Sequence, residues 1–191
     1  MSEFIRPNEK TLLIEPDREL CSSEDKLRLL VVIYSSPIHY ERRKVIRRTW
    51  GRAFTAYPGV RFIFLIGQSP KGLEQDIIKE SQEHNDIVQE DFVDTFQNLT
   101  VKATFMFKWI TSNDCLTAKF LFKADDDTFV NPEQLWASLE HSLLHSATTK
   151  SLLPFFKKSL LSSNSKEQLV TMSPLSESID YLVSLKISSS S

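Results

Sequence analysis

The sequence of 191 residues has only two cysteines, Cys21 and Cys115, almost no net charge and no long apolar run. Two cysteines are too few for a disulfide framework, and they leave one bridge or two free thiols equally open. A formal net charge of −2 excludes non-specific attraction to nucleic acid or to a membrane surface as the main activity. No stretch approaches the roughly 18 to 20 apolar residues of a membrane span, and the opening Met1-Ser-Glu-Phe-Ile-Arg6 lacks the apolar core of a signal peptide. As it stands, the sequence predicts neither an anchor nor a route into a secretory compartment. What is present is ordinary globular composition, 41% hydrophobic and 25% charged, with length for one domain and a real core.

The pattern changes along the chain. Residues 1–26 are polar, mixed in charge and without sustained period, which predicts a leader or stem rather than packed structure. Leu27 to Tyr34 is a β-branched run closed by Ser35-Ser36-Pro37, the signature of a strand buried on both faces of a parallel sheet. A basic helix is expected over Glu41–Trp50, ended by Gly51. A second strand over Val60–Gly67, a helix over Leu73–His84 and a short strand over Asp86–Glu90 follow. Gln97–Thr111 reads as a third helix with Leu99, Ala103, Met106, Phe107 and Ile110 at helical spacing, widened by Phe105 and Trp109. Pro132 opens a last helix to about His141. Strands alternating with helices predict an α/β fold with a mostly parallel sheet. Residues 27–141 form the domain, and the serine-rich residues 142–191 are expected to be weakly structured or disordered.

The most informative segment is Lys119-Phe-Leu-Phe-Lys-Ala-Asp125-Asp126-Asp127-Thr128-Phe129-Val130-Asn131. It is an apolar strand that ends in three carboxylates, and in an open α/β sheet the ligand crevice lies at the carboxyl ends of the strands. Three adjacent like charges are costly unless something cationic joins them. A hard divalent ion, Mg²⁺ or Mn²⁺, takes one or two carboxylates and completes its shell with phosphate oxygens and water. The chemistry therefore points to a metal-bound nucleoside diphosphate. The alternative, a solvated acidic turn, is the usual fate of a short charge run.

The blocks Ser35-Ser-Pro37, Glu41-Arg-Arg-Lys-Val-Ile-Arg-Arg-Thr-Trp-Gly51, Phe62-Ile-Phe-Leu-Ile-Gly67, Asp86 to Lys102 and Lys119 to Asn131 occur in an order that resembles the β-1,3-galactosyltransferase family, which includes β-1,3-N-acetylglucosaminyltransferases. The resemblance covers about residues 28–137. It implies a GT-A-like fold, here its amino-terminal donor-binding half, and Mn²⁺-dependent, inverting transfer of galactose or N-acetylglucosamine from UDP-galactose or UDP-N-acetylglucosamine to a glycan acceptor. It also implies a Golgi membrane or lumen setting, and a second transferase chain, the same or different, as a partner.

Carried onto this sequence, Asp125–Asp127 correspond to the Asp-x-Asp motif. Asp127 is the first choice of metal ligand, with Asp125 the second, and Asp125 or Asp126 is expected against the ribose or a metal-bound water. Ser35 and Ser36 would line the uridine loop. The helix after that strand carries Arg42, Arg43, Lys44, Arg47 and Arg48, of which Arg42 and Arg47 are the candidates for the diphosphate, as an arginine fork suits phosphate; a solvated basic helix face is the alternative, and five residues apart Arg42 and Arg47 need not point the same way.

By the same resemblance Cys115 sits where the family has a cysteine ahead of the acidic strand, with Cys21 as a guessed partner. The family's acceptor half, with the carboxylate that serves as general base, is not found between His141 and Ser191, so the chain as given is expected to lack a base of its own. A non-catalytic product that binds UDP-sugar or a partner is the alternative this raises. Phosphotransfer by a strand-terminal aspartate fits poorly, since Phe129 stands where Asp-x-Asp-x-Thr requires threonine. Asn98-Leu-Thr100 is a glycosylation sequon at the start of a helix. His141 and His145 have the spacing of zinc ligands but no further ligand nearby. Trp50 and Trp136 read as packing residues.

Overall fold

The computed structural model describes residues 11–17, 19–22, 26–69, 71–113, 115–145, 168–173 and 181–187. Strands are β1 (Leu12–Ile14), β2 (Leu29–Tyr34), β3 (Val60–Ile66), β4 (Ile87–Glu90), β5 (Phe120–Asp125), β6 (Gln168–Ser173) and β7 (Tyr181–Ile187). Helices are α1 (Glu19–Ser22), α2 (Tyr40–Arg48), α3 (Trp50–Phe54), α4 (Glu74–His84), α5 (Leu99–Ser112) and α6 (Pro132–His145). The sheet order is β1-β4-β3-β2-β5-β7-β6. β2, β3, β4 and β5 are mutually parallel, and β1 joins β4 antiparallel at one edge. The expectation of an α/β fold with a mostly parallel sheet and flanking helices holds.

β2 is the centre of this sheet, and every one of its residues is buried. Alternate side chains feed two cores. Leu29, Val31 and Ile33 meet Phe54, Trp50, Phe122 and Trp136 on one face. Leu30 and Val32 meet Met106, Trp109, Ile110 and Leu121 on the other. Helices on both faces remove the sheet from water, and for this reason its strands read as continuous apolar runs.

Four sequence expectations are revised. Residues 1–26 are not merely a stem, because β1 pairs with β4, placing Leu12 opposite Glu90, and Cys21 is bonded to Cys115 with Cα atoms 5.0 Å apart. Gly51 does not end the basic helix. The break falls at Thr49, and Gly51 lies inside α3, where a Cβ would stand 2.8 Å from the carbonyl oxygen of Ile46. The glycine permits close approach of two helical turns rather than terminating one. In α5 the buried stripe is Lys102, Phe105, Met106, Trp109 and Ile110, whereas Leu99 is exposed. Within 142–191, two segments expected to be weakly structured are strands: β7 runs parallel to β5 and β6 antiparallel to β7. The rest of that expectation, beyond the end of α6, lies outside the described residues. No helix among the described residues is long and apolar enough to cross a membrane.

Candidate functional site

The parallel register sets Tyr34 of β2 beside Leu65 of β3 and Asp125 of β5, so three strands end level with one another. The backbone continues this pairing for one more residue on each side: Asp126 N donates to Tyr34 O at 3.0 Å, and Ser35 N donates to Leu65 O at 3.1 Å. The acidic turn and the Ser35–Pro37 loop therefore share one edge of the sheet. A tight turn, Thr128 N to Asp125 O at 3.1 Å, separates the three carboxylates.

They have three different environments. Asp126 is folded inward, its side chain 7% exposed. Its Oδ2 accepts Ser35 Oγ at 2.8 Å and pairs with His39 Nδ1 at 2.7 Å, while its Oδ1 accepts Arg42 Nη1 at 2.8 Å. Burial pushes this carboxyl upward, but the hydrogen bonds from Ser35, Arg42 and His39 outweigh burial and hold it below the usual range. Asp125 is half-exposed and accepts Lys123 Nζ at 2.5 Å. Asp127 is 70% exposed, and the cation in range is Arg42, at 3.8 Å.

Among the sequence candidates, Ser35, Arg42, Asp125, Asp126 and Asp127 are brought together. Ser36 contributes its carbonyl to Arg43 Nη1 at 2.5 Å. Arg47 is placed elsewhere. It is bidentate to Asp86, with Nε and Nη2 each at 2.8 Å, and its Nη1 reaches Glu80 at 2.7 Å. His39 escaped the sequence reading, and Arg43, one of the basic residues of the helix from which a diphosphate contact is expected, instead faces Glu80 and the Ser35–Pro37 loop. The first follows the Ser-Ser-Pro block directly, and the second shares the Arg47 face of α2, four residues earlier. Lys102 was also missed, although a lysine at the head of the apolar stripe of α5 is a visible anomaly.

An open groove of ≈ 490 Å³ runs beside the carboxylates, lined by Arg42, Val45, Trp50, Asp126, Asp127 and Phe129 among others. It combines a cation, exposed carboxylate oxygens and apolar surface, as a ligand with charged and uncharged parts requires. The described residues hold no ready-made cluster of three or more metal-ligating side chains. At the sequon, Asn98 donates Nδ2 to Val93 O at 2.8 Å, at the start of α5.

The galactosyltransferase family model matches residues 41–177. A lactosylceramide 1,3-N-acetyl-beta-D-glucosaminyltransferase A of Danio rerio is 39% identical over 127 residues, which are 62% of this chain and 33% of that protein. An acetylgalactosaminyl-O-glycosyl-glycoprotein beta-1,3-N-acetylglucosaminyltransferase of Mus musculus is 40% identical over 129 residues, 63% of this chain and 32% of its own length. The human lactosylceramide 1,3-N-acetyl-beta-D-glucosaminyltransferase is 39% identical over 127 residues. The chain thus spans 32–33% of the length of these relatives. A sheet edge that gathers an Asp-Asp-Asp turn, a serine loop and an arginine, together with a family match over residues 41–177, gives the conclusion: this chain belongs to the galactosyltransferase family of β-1,3-glycosyltransferases.

Proposed function

We propose that this chain carries the donor-binding part of a UDP-sugar-dependent β-1,3-hexosyltransferase that transfers galactose or N-acetylglucosamine to a glycan. The observation that carries this reading is the division of labour in the acidic turn: Asp126 is fully engaged by the protein, and Asp127, its neighbour, is left exposed beside Arg42. The relatives' names favour N-acetylglucosamine as the sugar. The Cys21–Cys115 bridge suits the oxidising lumen of the secretory route, and so the Golgi setting that the resemblance implies.

The donor set fits a hard divalent cation. Asp127 offers an exposed carboxylate beside the groove, and a hard ion of this kind needs only one or two such oxygens, drawing the rest of its shell from phosphate and water. Mn²⁺ or Mg²⁺ held there would supply Lewis-acid stabilisation of the charge that develops on UDP as it departs. The chain's own residues do the rest. Asp126 fixes the turn so that Asp127 faces the groove. Arg42 has five N–H donors, and those beyond the one given to Asp126 are available to a diphosphate. The Ser35–Pro37 loop borders the same edge, where a nucleoside would lie.

Calorimetric titration with UDP in Mn²⁺ and in EDTA tests the proposal. Saturable binding in Mn²⁺ that is lost in EDTA is expected. Equal heats in both buffers, or none in either, would overturn it.

A further inference from the structure

Two cations buried under the site, Arg43 and Lys102, converge on one residue. The Arg43 side chain is 0% exposed and that of Lys102 4%. From one side Arg43 Nη1 donates to Ser35 Oγ at 3.1 Å and to Ser36 O at 2.5 Å, and Nη2 donates to Pro37 O at 3.2 Å. From the other, Lys102 Nζ donates to Ser35 O at 2.6 Å. Each cation is itself anchored. Glu80 grips Arg43 at 2.8 and 2.7 Å. Asp94 holds Lys102 at 3.0 and 2.8 Å, and its Oδ2 also accepts Gly67 N at 2.9 Å. Gly67 makes that last contact possible, because a Cβ there would lie 2.6 Å from Phe92 O and 2.7 Å from Asp94 Cβ.

Neither cation lines the groove, and both are withdrawn from solvent. A fully buried charge is expensive to keep, and core packing alone would be served better by methionine or leucine. What the two charges do satisfy is four acceptors of a three-residue loop, which would otherwise be free to move. Ser35, pinned at its hydroxyl and its carbonyl, donates a hydrogen bond from that hydroxyl to Asp126. We infer that Arg43 and Lys102 are positioning residues that hold the Ser35–Pro37 loop, and through Ser35 the Asp126 turn, in the geometry that receives the nucleotide before any nucleotide or metal arrives. The inference rests on the donor-binding reading given above.

The test uses the whole chain and the variants Arg43→Met, Arg43→Lys, Lys102→Met and Ser35→Ala, with Ile87→Val, in the separate core cluster of Ile66, Ile77 and Ile87, as a control. Three quantities are measured: deuterium exchange of the peptide spanning residues 31–40, the melting midpoint, and the Kd for UDP in Mn²⁺. Arg43→Met and Lys102→Met are expected to speed exchange and weaken UDP binding on the order of 10- to 100-fold, the range for groups that orient ligand-holding residues. Arg43→Lys keeps one cationic donor and should recover part of the affinity. Ile87→Val should lower the melting midpoint slightly and leave exchange and affinity as in the wild type. If either methionine variant does not fold, Ser35→Ala decides, since it removes only the shared hydroxyl, keeps both cations and their anions in place, and is expected to weaken binding severalfold with a smaller fall in the melting midpoint than the methionine variants show. Wild-type UDP affinity in the folded variants would overturn the positioning role while leaving the donor reading intact. No affinity in the wild type would overturn both.

Discussion

Asp126 and Asp127 are adjacent, chemically identical and expected to respond to the same substitution in opposite ways. In Asp126→Asn one carboxylate oxygen becomes an amide donor. If the remaining oxygen stays at Oδ2, the bonds from Ser35 and His39 survive and the new NH₂ faces Arg42; if it stays at Oδ1, the NH₂ faces Ser35 and His39. With the side chain 7% exposed, water cannot take the lost partner's place. Charge-assisted bonds contribute roughly 1.5–3 kcal/mol each. Losing one or two of them, offset by no longer burying a charge, gives a net loss of about 2–4 kcal/mol. For a chain of this length that lowers the melting midpoint on the order of 5–10 °C. Asp127→Asn, with its side chain 70% exposed, should leave the midpoint unchanged and remove most Mn²⁺-dependent UDP affinity. Urea titration by far-UV circular dichroism and calorimetry with UDP measure the two effects. Equal destabilisation by both substitutions, or an Asp126→Asn protein as stable as the wild type, would refute the reasoning.

Further outcomes follow from the buried charges and the disulfide. Glu80→Ala leaves Arg43 buried without an anion and should cost about 3–5 kcal/mol in urea titration, whereas the double variant with Arg43→Met should cost less than the two single changes added together. Glu80 and Asp126 have depressed carboxyl pKa values, Glu80 because Arg43 and Arg47 outweigh its burial. The stability these groups contribute is therefore present above the unfolded carboxylate range of about 4 and lost as pH falls through their folded values, so urea midpoints should drop between about pH 5 and pH 3. Glu90 has the opposite sign: burial raises its pKa and its Oε2 finds no partner among the described residues. Glu90→Gln should accordingly raise the midpoint at about pH 8, by about 1 kcal/mol, and do little at about pH 4. Cys21→Ser opens a loop of 94-residue separation and should cost about 2–5 kcal/mol, measured against the oxidised wild type.

The strands of the parallel sheet were legible because burial on both faces leaves an unbroken apolar run, as in Leu29–Tyr34 and Phe120–Phe122. β1 was not. Three residues on a sheet edge show no period of their own, and their strand character comes from pairing with β4 far along the chain. The acidic turn could be located but not resolved into roles. Its three aspartates look alike in sequence, and what separates them are partners at sequence distances of 84 to 91 residues. Five-residue spacing left open whether Arg42 and Arg47 point the same way, and only the fold separates them: one meets Asp126 and the other Asp86. Lys102 stood out as a charge at the head of an apolar helical stripe, but Phe105, Met106 and Trp109 read as core whether or not a charge heads them, and the lysine's partners Ser35 and Asp94 are set only by the fold.

The level ends of β2, β3 and β5 also bear on the order in which this protein folds. β2 can pair with β3 as soon as residues 60–66 have been made, but its other neighbour, β5, begins only at Phe120. Until then the central strand has one open edge and an apolar face waiting for α5. Ser35 and Asp126 come from the two sides of that late closure, 91 residues apart. The site therefore belongs to the slow, high-contact-order part of folding. A nascent chain released before residue 125 would expose an unpaired, entirely apolar strand edge, which is a template for aggregation.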